Sequence, residues 1–216
     1  ELYCGLSGCP GTPGEKRYPN WVGFGWPPQF VELLDWQWKE KIIPFWQDEA
    51  DFAEKHGVKL CFEMHGGDAV YNPESLLKLR KAVGNIVGAN YDPSHLAYQG
   101  VDYIQFLYDF ADRIYHVHMK DVWWSDVPTR SGTFGGHLEF GHVDRAWDFR
   151  SIGRGRVDFE EIMRALNRIG YAGPLSIEWE DSGLDREYGA REACEQVRAM
   201  SLTPTDRAFD TSFSAD

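Results

Sequence analysis

Apolar and polar residues follow the same plan in four consecutive segments of the chain. Each segment has apolar residues three or four positions apart, which predicts an amphipathic helix, and then a glycine turn and a short apolar run, which predicts a strand. Polar residues follow each run. The predicted strands begin near residues 59, 86, 114 and 175, and the N-terminal ELYCGLSG predicts one more strand ahead of them. The pattern therefore alternates helices with strands, which favours a parallel sheet.

The predicted helices carry typical residues at their ends. Asn72 and Pro73 fit an N-cap and the first helical position, and Asp158 with Glu161 fits a capping box. Three glycines fit helix stops, because glycine adopts the left-handed conformation that ends many helices. They are Gly57, Gly84 and Gly170.

Side chains alternate between two faces along the predicted strands. In residues 60–65 and 175–180 one face is apolar and the other carries polar residues, including Glu63 and Glu178. The same alternation would place Ile114, His116 and His118 on one face of the strand IYHVHMKD. A doubly wound sheet has helices on both faces and would be apolar on both. We therefore expect a (β/α)8 TIM barrel, although only five of its eight strands are visible.

One interval between strands is much longer than the others. The last two predicted strands begin 61 residues apart, against 27 and 28 residues for the earlier intervals. Residues 122–156 lie in this interval, are rich in glycine and tryptophan, and lack helical periodicity. Because α/β proteins keep substrate loops after the carboxyl ends of strands, we predict a long substrate loop there, within a single domain over residues 1–216.

The charge and composition of the chain limit the classes of partner that it could bind. The net charge is −12, from 34 acidic and 22 basic residues, which argues against a nucleic-acid partner. The sequence shows no apolar run long enough to span a membrane and no signal-peptide pattern. Four scattered cysteines without a C-x-x-C pair indicate reduced thiols and a cytoplasmic location, with a Cys4–Cys9 bridge in a secreted protein as the alternative.

Four strand ends carry carboxylates or imidazoles, and a barrel would bring them to one mouth. They are Glu63 with His65, Asp92 with His95, His116 with His118, and Glu178 with Glu180. One imidazole with three carboxylates suits Mn²⁺, Mg²⁺, Co²⁺ or Zn²⁺. Taken singly, each residue has an ordinary structural role, such as a turn at Asp92 before Pro93. Several buried carboxylates together would be costly without a cation, so we predict a metal site.

The motifs FEMHGG, YDPSHL, HVHMKD, GRGRVDF and LSIEWED, in this order, resemble the sugar phosphate isomerase/epimerase family of xylose-isomerase-like barrels. The resemblance implies that this chain covers about strands 4 to 8, with the N-terminal strands absent. It implies a metal held by Glu63, Asp92, His118 and Glu178, and substrate contacts from His95 and His116. We expect one divalent ion, with Mn²⁺ favoured over Mg²⁺, Co²⁺ and Zn²⁺.

The resemblance also implies a reaction. We expect isomerisation or epimerisation of a small keto-sugar or cyclitol through an enediolate, with Glu63 and Glu178 as the acid/base pair. His65 allows a second reading as the base of a β-elimination on 3-keto-glycosides, including C-glycoside cleavage. An abasic-site endonuclease of the same fold would need more histidines and a cationic surface, and a binding-only barrel would leave the metal ligands without a purpose.

Two further residues are predicted to bind substrate. Ketose 3-epimerases of this superfamily tend to carry an arginine where this chain has Trp124, which could stack on a sugar or aglycone or simply pack the loop. Arg154 lies in a glycine-flanked turn and could meet a hydroxyl-rich substrate or remain a surface residue. Because five strands leave two open edges, we also expect a homo-oligomer or a complementary subunit.

Overall fold

A computed structural model describes residues 1–135 and 137–205 of the chain. The strands are β1 (Leu2–Gly5), β2 (Lys59–Glu63), β3 (Val87–Tyr91), β4 (Ile114–Met119), β5 (Asp121–Trp124), β6 (Trp147–Arg150) and β7 (Leu175–Ile177). The α-helices are α1 (Pro28–Gln37), α2 (Ile43–Lys55), α3 (Pro73–Val83), α4 (Pro93–Ala97), α5 (Tyr103–Asp109), α6 (Phe159–Arg168) and α7 (Arg186–Met200). A π-helical turn (Trp38–Ile42) joins α1 to α2, and a 3₁₀ turn (Ala111–Arg113) precedes β4. Within these described ranges, no helix has the length and apolar character needed to cross a membrane.

Five strands form one parallel sheet in the order β1-β2-β3-β4-β7. Leu60 pairs with Val87 between β2 and β3, and Val117 pairs with Leu175 between β4 and β7. The strand order never reverses, whereas a doubly wound sheet reverses its order at a switch point. The parallel half-barrel predicted from the strand pattern is thus confirmed, while the numbering of its strands as 4 to 8 of a complete barrel stays a prediction.

The outer face of the sheet packs against the helices. Leu60, Phe62 and Met64 are buried, as the alternation in β2 predicts. Phe62 meets Trp46 of α2 edge to face, with ring centres 4.5 Å apart. This packing directs the alternate residues of β2, including Glu63, towards the inner face of the half-barrel.

The prediction that Ile114 shares a face with His116 and His118 is wrong, because the pairing of β3 with β4 contains a register shift. Ala89 pairs with Ile114, but the next residue, Asn90, pairs with His116, so β4 has one extra residue at this point. Ile114 therefore lies in the hydrophobic core instead of sharing the face of the two histidines. A strict alternation cannot reveal such a bulge, since the extra residue reverses the faces of the residues before it.

The predicted helix ends are observed with one difference. Asn72 and Ser75 form a reciprocal capping box at the start of α3. Asp158 accepts a hydrogen bond from the backbone N–H of Glu161 at 3.1 Å. Its own backbone N–H donates to the Tyr103 hydroxyl at 3.0 Å, so the reciprocal bond of the predicted capping box is replaced. The three predicted glycine stops have φ values of 67°, 127° and 71°, in the region that favours glycine.

The segment 122–156 contains regular structure that the sequence pattern did not predict. β5 and β6 pair antiparallel, with Trp124 opposite Trp147, and form a separate two-stranded sheet. Each strand has four residues, which is too short for alternation to be distinguished from chance. The ribbon joins the rest of the segment to the end of β4, and the role of the segment as a substrate loop stays a prediction.

The carboxylate of Asp121 holds the far end of this segment. It accepts backbone hydrogen bonds of 2.8–3.1 Å from five N–H groups, those of Val122, Gly153, Gly155, Arg156 and Val157. A Cβ atom on Gly155 would lie 2.2 Å from Asp121 Oδ1, so only glycine allows this close approach. One buried side chain therefore joins the start of β5 to the turn before α6.

We expect Asp121→Asn to lower the free energy of unfolding by about 2 kcal/mol, because one of the two acceptor oxygens becomes a donor facing N–H groups. Thermal and urea unfolding would measure the loss. Asp126→Asn is the matched control, since Asp126 forms an exposed ion pair with Arg156 at 2.7 Å, and exposed pairs contribute at most about 1 kcal/mol. Equal losses in the two variants would contradict the role given to Asp121.

Candidate metal centre

The carboxyl ends of four strands bring the four predicted metal ligands together. Glu63 ends β2, Asp92 follows β3, His118 lies near the end of β4, and Glu178 follows β7. One ligand atom from each residue lies within 4.8 Å of those from the others. These residues come from positions up to 115 apart in the sequence and meet only because parallel strands end at one edge.

Two histidines lie between the carboxylates. His118 Nδ1 is 3.1 Å from Glu63 Oε2 and 2.6 Å from Glu178 Oε2. His95 Nε2 is 3.2 Å from Glu63 Oε1 and 3.7 Å from Asp92 Oδ2. Asp92 and His95 are each 1% exposed, so this side of the cluster is closed to solvent.

The electrostatics of the cluster follow from burial and these contacts. Burial raises the pKa of Asp92. Burial acts the same way on Glu63, but hydrogen bonds with His118 and His95 outweigh it and hold the pKa of Glu63 well below its usual range. Burial opposes a charge on His118, yet its hydrogen bonds to Glu178 and Glu63 raise its pKa to about 10. Glu63 and Glu178 thus share the positive charge of the His118 imidazolium, a role that a divalent cation can also fill.

Asp92 shows how the residues fit a cation. Its Oδ1 accepts hydrogen bonds from the backbone N–H and the hydroxyl of Ser94, at 2.8 and 2.7 Å. Its Oδ2 is buried without a hydrogen-bond partner among the described residues. A buried oxygen without a partner is costly, and three carboxylates with one imidazole suit a hard or borderline divalent ion. One oxygen therefore serves the predicted turn before Pro93, and the other is available as a ligand.

Lys120 is a residue of this site that the sequence reasoning missed. It is 1% exposed, and its ammonium donates to Glu178 Oε1 at 2.8 Å and to Glu180 Oε1 at 2.9 Å. It lies 4.3 Å from the centre of the Phe149 ring. Burial opposes its charge, but the nearby carboxylates of Asp92 and Glu178 raise the pKa of Lys120. Its position two residues after His118, on the same face, was the available signal.

Lys120 also orients a predicted ligand. By occupying Glu178 Oε1, it leaves Glu178 Oε2 directed towards His118 and the cluster. Asn90 orients two other predicted ligands. Its side-chain amide nitrogen lies 3.4 Å from Glu63 Oε2 and 3.3 Å from His118 Nε2. Residues around the ligands thus limit their rotation before any ion binds.

The other predicted histidines lie beside the cluster. The His65 ring centre is 4.4 Å from that of His95, and a hydrogen bond to Asp68 raises the pKa of His65 against the opposing effect of burial. The His116 ring bonds to the Ser176 hydroxyl at 2.8 Å. Burial lowers the pKa of His116 and so favours its neutral form. The structure therefore brings all three non-ligand histidines of the prediction to the mouth.

Trp124 and Arg154 are not brought into contact with the cluster. Trp124 lies on β5, where the guanidinium of Arg156 is 4.8 Å from its ring centre. Arg154 forms a two-point ion pair with Glu192 of α7, with both N–O distances 2.8 Å. The glycine-flanked turn thus directs Arg154 to an outer helix, which a local sequence pattern cannot show. A substrate role for either residue stays a prediction.

The fold and the site define a barrel-type protein with a candidate metal centre at its strand ends. The model of the Xylose isomerase-like TIM barrel family matches residues 12–200. The chain belongs to this family, which confirms the resemblance recognised from its motifs.

Two curated relatives show how much of a longer protein this chain corresponds to. It is 35% identical over 202 residues to the uncharacterized protein YfiH of Bacillus subtilis, which covers 89% of this chain and 64% of YfiH. It is 33% identical over 129 residues to the inosose dehydratase of Clostridium perfringens, which covers 59% of this chain and 42% of that enzyme. The chain thus spans less than two thirds of the length of either relative.

Solved structures share the fold. An IOLI protein with a bound zinc atom has a TM-score of 0.54 and 24% identity, over 76% of this chain and 57% of that one. The 3-keto-D-glucoside 4-epimerase YcjR of E. coli has a TM-score of 0.56 and 16% identity, over 77% of this chain and 55% of that one. At these identities the comparisons establish the fold alone.

We expect His118→Ala and Glu178→Gln to remove stoichiometric divalent metal, because each takes away one ligand of a four-ligand site. Elemental analysis after dialysis against trace Mn²⁺ or Zn²⁺ would measure it. His56→Ala is the control, since His56 is an exposed residue that follows α2. Undiminished metal in both site variants would show that the ion binds elsewhere.

We expect Lys120→Met to destabilise the protein by about 2 kcal/mol in EDTA, because Glu178 and Glu180 lose their cation. Adding Mn²⁺ should recover part of this loss, since the ion compensates Glu178 instead. Melting temperatures with EDTA and with Mn²⁺ would measure both effects. Lys39→Met breaks an exposed pair with Asp35. It should change the free energy of unfolding by no more than about 0.5 kcal/mol, both in EDTA and with Mn²⁺. An unchanged melting temperature of Lys120→Met in EDTA would refute this role.

Proposed function

We propose that this protein is a divalent-metal-dependent enzyme that moves a proton next to the carbonyl of a keto-sugar or cyclitol, as an isomerase or epimerase. The observation that carries the proposal is the approach of Glu63 and Glu178 to one point from β2 and β7. Their Oε2 atoms lie 3.1 and 2.6 Å from the same His118 nitrogen. Two carboxylates that flank one small volume are suited to removing a proton and returning it.

The proposed ligands are Glu63, Asp92, His118 and Glu178, with Mn²⁺ favoured and Mg²⁺, Co²⁺ and Zn²⁺ as alternatives. The cation, when bound, would polarise the substrate carbonyl and stabilise the negative charge of an enediolate. The unpartnered Asp92 Oδ2 and the Glu178 oxygen turned to the cluster by Lys120 support this assignment.

The side chains of this chain would carry the proton. One glutamate takes the proton from the carbon beside the carbonyl, and the electron pair of the broken C–H bond forms the enediolate. Return of a proton by the other glutamate to the opposite face of that carbon inverts it, which is epimerisation. Return to the neighbouring carbon, with a proton exchanged between the two oxygens, is isomerisation. His95 and His116 would bind the substrate hydroxyls and hold the carbon between Glu63 and Glu178.

A second candidate is elimination by the same site. His65 lies at the mouth with 40% of its side chain exposed, which allows it to act as a base. A relative of this chain is an inosose dehydratase, an enzyme that by its name removes water. After proton removal next to the carbonyl, the enolate would expel a leaving group from the adjacent carbon, either water or the aglycone of a 3-keto-glycoside. The bond to the leaving group breaks, its electron pair takes up the proton that the base removed, and a double bond forms between the two carbons.

Reaction in D₂O separates the two candidates. With ketoses and keto-cyclitols as substrates, an isomerase or epimerase should place deuterium on the reacting carbon, as NMR would show. With metal restored at high concentration, we expect Glu178→Gln to lower this exchange about a thousandfold, since it removes an acid/base group, and His65→Ala to have a milder effect. If His65→Ala is the inactive variant and a 3-keto-glycoside loses its aglycone, the elimination takes the place of the isomerisation.

We further propose that the five strands are strands 4 to 8 of a barrel that other strands complete. β1 and β7 each pair on one side only among the described residues, and open parallel edges favour association. Residues 1–216 alone should therefore form oligomers or aggregates in size-exclusion chromatography with light scattering. A monodisperse monomer with a cooperative melting transition would contradict this proposal.

A further inference from the structure

A cavity with an aromatic lining opens directly beside the candidate metal centre. Its volume is about 460 Å³, within the range of cavities that hold small-molecule ligands. His65 and His95 form part of its wall, and His95 Nε2 is 3.2 Å from Glu63 Oε1. None of the four proposed metal ligands lines it. A sugar at the metal centre would therefore sit next to this cavity without filling it.

The cavity wall is rich in aromatic rings, and several of them are exposed to solvent. Tyr98 and Trp147 stack with ring centres 3.8 Å apart and an angle of 4° between the planes. Phe140 packs near Trp147 with its ring centre 5.9 Å away, and it is 54% exposed. Phe134 on the same wall is 78% exposed. Large apolar groups that face a cavity in an acidic protein indicate a ligand with an apolar part.

Two polar side chains of the wall, Trp147 and Gln99, already donate to carbonyls of the protein. Trp147 Nε1 donates to the Thr133 carbonyl at 2.8 Å. Gln99 Nε2 donates to the carbonyls of Tyr71 and His95, at 3.0 and 2.6 Å. A second sugar ring would bring several hydroxyl groups that need donors and acceptors, and the Trp147 and Gln99 donors are already in use. A planar aromatic ring needs only the faces and edges of other rings.

A buried cation holds part of this wall in place. The guanidinium of Arg145 lies 4.3 Å from the ring centre of Phe140 and 4.7 Å from that of Trp147. It also donates to the carbonyls of Trp147 and Leu138, at 3.0 and 2.8 Å. The aromatic wall is therefore fixed by contacts on its protein side before a ligand arrives.

We propose that this cavity is an aglycone subsite, which receives the aromatic ring of a glycoside whose sugar lies at the metal centre. The inference rests on the proposed function and makes its substrate more specific: an aryl glycoside with a keto-sugar, instead of a free sugar or cyclitol. Under the elimination, the aromatic part would leave into this cavity. Under epimerisation, it would stay attached and hold the sugar in position.

Binding without turnover tests the subsite. Isothermal titration calorimetry with the metal-loaded full-length protein would compare phenyl β-D-glucopyranoside, methyl β-D-glucopyranoside and cellobiose, with 4-nitrophenol as a free aromatic ring. We expect the phenyl glycoside to bind about tenfold or more tightly than the methyl glycoside, because it buries an aromatic ring. 4-Nitrophenol should compete with it.

Phe140→Ala should reduce the preference for the phenyl glycoside at least threefold, and Phe52→Ala, a change at an exposed phenylalanine of α2, should leave it unchanged. Trp147→Phe gives a second variant that keeps an aromatic ring in the ribbon and should have a smaller effect. Equal binding of phenyl and methyl glycosides, or no binding of the phenyl glycoside, overturns the proposal. Tighter binding of cellobiose would replace it with a second sugar subsite.

These outcomes are independent of the reaction itself. If deuterium exchange fails with all substrates but Phe140→Ala still removes a phenyl preference, the subsite stands and the proposed chemistry does not. If free keto-sugars exchange deuterium and no phenyl preference exists, the chemistry stands and the subsite is wrong.

Discussion

The rest of the structure depends on how the charge of three carboxylates is compensated at the ends of β2, β3 and β7. Glu63 and Asp92 are buried, and carboxylates in such a place are unfavourable unless cations or donors lie beside them. The chain supplies His118, His95 and Lys120 for this purpose. His118 lies in β4, Lys120 follows it, and His95 lies in α4, so the compensation links β4 to the helix that follows β3.

The sheet explains why these groups meet with defined geometry. A one-residue change of register would turn every side chain of a strand to the opposite face, so the site depends on the pairing of each strand with its neighbour. The register shift between β3 and β4 matters for this reason, because it sets Asn90 opposite His116. Asn90 then reaches both Glu63 and His118 through its amide. The polar groups of the mouth are thus positioned by backbone pairing that extends into the apolar core.

Much of the fold and the centre of the site could be predicted from the sequence. Glu63 and Glu178 follow from strict alternation in short strands, and the four-strand convergence follows from their parallel arrangement. Other features depend on contacts between distant residues. Arg154 pairs with Glu192, 38 positions away, and the Ile114 face depends on a bulge defined by β3. Lys120 could have been found by extending the alternation of HVHMKD by one step beyond His118. The aromatic cavity could not have been found from the sequence, since its wall combines residues from α4, β6 and the loop between β5 and β6.

The hydrogen bonds of Asp121 have a consequence for how such proteins diversify. They tie both ends of the long segment to the barrel, and the ribbon of β5 and β6 closes its base. Insertions, deletions or substitutions between the two strands then alter the wall of the cavity without moving the strand ends that hold the carboxylates. If the cavity is the proposed subsite and the carboxylates carry the proposed reaction, evolution can change the substrate and leave the chemistry untouched.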